Sequence, residues 1–170
     1  MRFVILQVMI FFMTSVAVAQ TPYATINDPK HPQQKILVGT ITQYILQNDP
    51  SFSWYGINYK GYSPSAQLLN TIEACKDSIQ YVVFAGTWCE DSQFIIPRFF
   101  SLLEKSGVAD NHVSFFAVDR DKKIPGNIAS AFKITNVPTI IAMKSGIEIG
   151  RVVEYGKNGN WDEDLGRLVK

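Results

Sequence analysis

Histidine and cysteine are scarce in this chain of 170 residues, two of each. His31 and His112 stand far apart, and no cysteine or acidic pair lies at ligand spacing, which argues against a metal site. An excess of one charge is missing as well. Sixteen Lys and Arg against 15 Asp and Glu leave a net charge of +1, so nothing points to nucleic acid or an anionic membrane surface as a partner. Internal repeats and low-complexity runs are absent. With 46% apolar and 18% charged residues, the composition fits a folded globular chain and argues against a disordered or collagen-like one, and the length suits one core with a modest extension.

A long apolar run occurs at the start. MRFVILQVMIFFMTSVAVAQ carries one basic residue, then hydrocarbon, then Ala17-Val18-Ala19, the small-x-small pattern that signal peptidase reads. Residues 1–19 are therefore expected to be a signal peptide, cleaved before Gln20. The protein is then exported to a periplasmic or other secreted space and has no stable membrane association after cleavage. A retained anchor is the competing reading, because positions 3–19 approach the roughly 18 to 20 apolar residues that span a bilayer; Gln7, Thr14 and Ser15 weaken it. No cysteine follows the run to accept a lipid. Loss of Arg2 leaves 15 basic and 15 acidic side chains, and export places both cysteines where disulfides persist.

Residues 20–60 read as an N-terminal extension. QTPYATINDPKHPQQ has the composition of an extended linker, and KILVGTITQYIL that of a short helix or strand packed on the main domain. Residues 61–170 then show a sharp alternation of patterns. SPSAQLLNTIEACKDS places Leu68, Leu69, Ile72 and Cys75 at helical spacing, and YVVFAG is a buried strand. EDSQFIIPRFFSLLEKSG predicts a helix of about 17 residues with acids at its start and a lysine near its end. HVSFFAVD follows as a strand and PGNIASAFKI as a short helix. TIIAMKSGIEIGRVVEYG reads as a hairpin about Ser145-Gly146, and NWDEDLGRLVK as a closing helix. Helices between the early strands imply a parallel crossover, and the hairpin makes the sheet mixed, an α/β arrangement.

Trp88-Cys89-Glu90-Asp91-Ser92 stands at the junction of the first of these strands with the long helix. Pro97 follows Cys89 by eight residues, and Val137-Pro138-Thr139 comes immediately before the hairpin. In that order and spacing the chain resembles the thioredoxin superfamily over roughly residues 65 to 170. The resemblance implies a thioredoxin fold, a central mixed sheet flanked by helices. It implies thiol–disulfide exchange at Cys89 with Trp88 and Ser92 beside it, and a cis bond in a substrate-binding segment of Val137, Pro138 and Thr139. Protein or low-molecular-weight thiols and disulfides are the implied partners, with no cofactor and no metal. Two positions depart from the family pattern. Ser92 replaces the second, resolving cysteine, and Val83 lies where thioredoxins keep a buried aspartate.

The first turn of a helix stabilises a thiolate through its unpaired N–H groups, while Glu90 and Asp91 oppose it. Ser92, one turn on, is expected to donate its hydroxyl to the sulfur, and Trp88 to cover one side of it. Release of a mixed disulfide needs a second thiolate in reach, which serine does not supply. Cys75 is expected on the order of 20 Å away along the strand, well beyond the α-carbon separation of about 7 Å that a disulfide tolerates, and is read as a small core residue. The site is thus monothiol: it starts an exchange that an external thiol finishes, or it captures a partner covalently. A non-catalytic thioredoxin-fold binding or scaffold module is the alternative. Pro97 is read as a helix bend, and Phe94, Ile95, Ile96, Phe99, Phe100 and Leu103 as the buried side of that helix.

Overall fold

The computed structural model describes residues 21–170; the expected signal segment, 1–19, lies outside the described residues. The elements are β1 (Tyr23–Asn27), β2 (Lys35–Ile41), α1 (Gln43–Asn48), α2 (Trp54–Lys60), α3 (Ala66–Cys75), β3 (Ile79–Ala85), α4 (Glu90–Lys105), β4 (Val113–Ala117), α5 (Ile128–Ala131), β5 (Thr139–Lys144), β6 (Ile147–Val153) and α6 (Trp161–Val169). Among the described residues the strands form one six-stranded sheet in the order β1-β2-β4-β3-β5-β6. β3 and β4 run parallel, joined across α4, and every other neighbouring pair is antiparallel. This is the mixed sheet flanked by helices that the sequence pattern predicts.

β3 is apolar toward both faces because both are covered. Tyr81, Val83 and Ala85 enter one core with Ile95, Phe99, Leu102 and Leu103 of α4, Ile72 of α3 and Leu165 of α6. Phe84 enters the other with Val118, Ala129, Val137 and Ile141. α3 starts where Ser65 Oγ accepts the Leu68 N–H, an N-cap bond. α4 carries Glu90 and Asp91 in its first turn and Lys105 in its last, with the buried Pro97 inside it. Phe94 departs from expectation: it is 39% exposed. Its position lies off the stripe defined by Ile95, Phe99 and Leu102, and the Arg98 guanidinium lies 3.3 Å above its ring.

The linker reading of residues 20–34 is corrected by β1, which pairs with β2 from Tyr23↔Gly39 to Asn27↔Lys35. Its side chains from Ala24 to Asn27 are exposed, so no buried alternation marks it in the sequence. Gly39 makes the pairing possible, since a Cβ there would lie 2.5 Å from the Tyr23 Cα, at a φ of +138°. β2 joins the central sheet through Gly39↔Ala117 to Ile41↔Phe115, and α2 packs on α4 with Tyr55 buried. In the closing hairpin Ser145 (φ 51°) and Gly146 (φ 77°) turn with positive φ at both residues, the twist that two antiparallel strands require. A bulge displaces the β5–β6 register between Ala142 and Met143. Among the described residues no helix is long and apolar enough to cross a membrane.

Candidate functional site

The site forms where the C-terminal end of β3 meets the start of α4 and the loop before β5. Cys89 is the N-cap residue of α4, with extended backbone (φ −97°, ψ 122°). Its N–H donates to the Gly86 carbonyl at 2.9 Å, and its carbonyl accepts the Gln93 N–H at 2.9 Å. The half-buried thiol donates to the Val137 carbonyl at 3.2 Å. The Val137-Pro138 bond is cis, and Val137, Pro138 and Thr139 are all buried. Thr139 Oγ1 donates to the Asn136 carbonyl at 2.7 Å and the residue pairs with Phe84 of β3, which fixes this loop beside the sulfur.

Ser92 lies elsewhere than expected. It is 2% exposed, and its Oγ accepts the Gly86 N–H at 3.2 Å, while the sulfur's hydrogen bond goes to Val137. The reason is the end of β3: Gly86 leaves the strand with a buried N–H that needs a partner, and the hydroxyl one turn into α4 supplies it. Trp88 also turns inward. Its Nε1 donates to the Val118 carbonyl at 3.0 Å, and its ring lies so close over Gly86 that a Cβ there would fall 2.6 Å from Cε2. Trp88 and Cys89 both pack against the cluster of Phe84, Val118 and Val137. Val83, in the place of the family aspartate, is fully buried among hydrocarbon.

Cys75 ends α3, at the opposite end of β3 from Cys89, and both thiols are free. Its Sγ donates to the Ile72 carbonyl at 3.3 Å, and burial pushes the thiol up from its ordinary value. His112 Nδ1 lies 2.9 Å from the Ile79 carbonyl, a structural contact, and among the described residues no group of three His, Cys, Asp or Glu is disposed to hold a metal.

Three features around the turn are invisible to sequence reasoning. Thr87 Oγ1 accepts the Leu37 N–H at 3.1 Å, and its carbonyl accepts Gln93 Nε2 at 2.9 Å. Tyr155, just beyond β6, sits 5.9 Å from Phe94 between ring centroids, and its hydroxyl is raised first by burial and then by the Asp91 charge. Arg120, just after β4, holds Asp28 with Nε at 2.7 Å and Nη2 at 2.6 Å. No local signal links residues 92 positions apart.

Asp28 carries a measurable consequence. The Arg120 hydrogen bonds hold its carboxyl far below the usual carboxylate range, against burial, which raises it. For a group depressed in the folded state, the stabilisation is complete above the unfolded value near about 3.9 and is lost as pH falls through the folded one. The thermal unfolding midpoint is expected to fall between about pH 4 and pH 2, and Asp28→Asn to show a shallower fall over that range. Parallel acid profiles for the two proteins would contradict the pairing.

A mixed sheet in this order, a thiol at the start of α4 and a cis-proline loop against it define a thioredoxin-like domain. The thioredoxin family model matches residues 43–160, more than half of the chain, and the chain belongs to that family. It is 35% identical to thioredoxin H5 of Arabidopsis thaliana over 51% of this chain and 65% of that protein, just short of two thirds of its length. With the H-type thioredoxin of Fagopyrum esculentum the identity is 31%, over 51% of this chain and 71% of the other. Among solved structures, a Pseudomonas aeruginosa protein of unknown function superposes with a TM-score of 0.52 at 10% identity, covering 75% of this chain and 87% of that one, a likeness of fold alone.

Proposed function

We propose that this protein performs thiol–disulfide exchange through Cys89 alone, on protein or low-molecular-weight thiols and disulfides, in the periplasmic or secreted space that its N-terminal 19 residues select. One observation supports this above the rest: a half-buried thiol at the N-cap of a 16-residue helix, hydrogen-bonded to the carbonyl that precedes a cis proline. Cys89 gives its proton to solvent, and the thiolate attacks one sulfur of a partner disulfide. The new S–S bond forms as the old one breaks, and the other partner sulfur leaves as a thiolate.

Loss of the S–H also frees the Val137 carbonyl, because that bond exists only while the sulfur carries hydrogen. An extended partner segment then has a backbone acceptor beside the mixed disulfide, a strand-like contact. Trp88, Ser92, Pro138 and Thr139 act by fixing the turn and the loop. Ser92 cannot attack the mixed disulfide, and Cys75 stands at the far end of β3, so an external thiol releases the partner. In this reading the site is monothiol.

The test is capture in the native compartment. Thiols are quenched with acid and alkylated, and disulfide-linked species are compared between the wild type and Cys89→Ala. Linked partners are expected with the wild type and absent from the variant. No linked species with either protein moves the assignment to a binding scaffold.

A further inference from the structure

Two grips reach the Trp88-Cys89 turn from the β1–β2 hairpin, which precedes residue 43, where the family match begins. In the first, β2 holds Thr87: its Oγ1 accepts the Leu37 N–H at 3.1 Å and donates to the Lys35 carbonyl at 3.3 Å. In the second, the turn after β1 supplies Asp28, whose side chain is fully buried. Its carboxylate takes two bonds from Arg120, at 2.7 and 2.6 Å, and a third from the Lys30 N–H at 2.9 Å. The guanidinium so fixed lies 4.9 Å from the Trp88 ring centroid. The indole is pinned from elsewhere by the Val118 carbonyl and by Gly86 beneath it. A bidentate Arg–carboxylate pair fixes orientation as well as charge, and arginine keeps its proton throughout the working pH range.

We propose that Asp28 and Arg120 are positioning residues for Cys89: through them the hairpin clamps the indole that precedes the sulfur and holds a paired, nearly neutral charge against that indole. The inference rests on Cys89 being the exchanging sulfur. The other charged or titratable groups about the turn are Glu90 and Asp91 on α4, Lys122 at 5.7 Å from the Trp88 ring centroid, and Tyr155 beyond β6. Asp119, beside Arg120, is turned into its own loop, where its carboxylate accepts the Asp121 and Lys123 N–H groups. The charged form of Arg120 is favoured first by the Asp28 hydrogen bonds, then by the Asp28 charge, and last by the charge on Cys89, the residue next to the indole on which the guanidinium rests.

Asp28→Asn keeps an acceptor for Arg120 and removes the compensating charge. The rate of iodoacetamide alkylation at Cys89, followed by mass on its own peptide to separate it from Cys75, is measured against pH. The midpoint of that profile is expected to move about half a unit toward acid in Asp28→Asn, because an uncompensated cation favours the thiolate. It is expected to return to the wild-type position in the double variant Asp28→Asn with Arg120→Gln. A clamp without electrostatic effect changes the rate at every pH and leaves the midpoint in place, and an unmoved midpoint in Asp28→Asn overturns the proposal.

Arg120→Lys covers the case in which Asp28→Asn fails to fold. It keeps the charge and loses the fork, so the midpoint stays while the Trp88 indole N–H, resolved by NMR, exchanges faster with solvent. Unchanged indole exchange there also overturns the clamp. Because alkylation needs no partner, a shifted midpoint together with failed capture sinks the exchange reading and leaves the clamp standing.

Discussion

Ser92→Cys is expected to convert the site into a dithiol that closes an internal disulfide under oxidising conditions and reduces protein disulfides on the order of tenfold or more faster than the wild type. Cys89 is the N-cap of α4 and Ser92 stands three residues on. That spacing puts their side chains on one face of the helix as near neighbours, where a disulfide can close. Under the proposed exchange at Cys89, the second sulfur supplies a thiolate held beside the mixed disulfide. The substitution also removes the Oγ that accepts the Gly86 N–H in a slot with little free space. The reduced variant is therefore expected to lose about 1 kcal/mol of stability, part of which the disulfide restores. Thiol titration after mild oxidation decides the matter. Two free thiols at residues 89 and 92 would show that the helix does not present them to each other.

Phe99→Ala is expected to cost about 3 to 5 kcal/mol, read from urea unfolding, and to lower the thermal midpoint by roughly 10 °C. The Phe99 ring is fully buried, edge-on to Tyr81 of β3 at 5.4 Å and 79°, and 5.5 Å from Phe100. It sits at the contact that seats α4 on the central strand, with the Trp88-Cys89 turn between the two elements. The loss is a cavity, because the surrounding rings are held by their own neighbours and collapse only partly. A cost below about 1 kcal/mol would mean that α4 rests on β3 through other residues.

The second half of the chain is legible in the sequence for a physical reason. β3, α4, β4 and the hairpin bury continuous or periodic apolar sets, and Gly107, Pro125 and Ser145-Gly146 punctuate them at the right places. The beginning resists the same reading. β1 is an edge strand whose exposed residues are half apolar and half polar with no buried face, and α2, WYGINYK, mixes aromatics with a glycine that has open space beside it. At the site, Cys89 and Val137-Pro138-Thr139 are found by motif because their meeting follows from the fold. The direction of the Ser92 hydroxyl is decided by an unpaired N–H six residues earlier, and the Arg120 fork by a carboxylate on the first hairpin. Both are properties of the assembled structure, and no local pattern encodes them.

The bulge between Ala142 and Met143 has a bearing on how this protein behaves in company. β6 is the edge strand opposite β1 and exposes Ile147 and Ile149, a border that invites intermolecular zippering into aggregates. The inserted residue bends that border, and the Glu148–Arg151 ion pair charges it. A neighbouring molecule is thereby offered no straight row of amides to copy along this border.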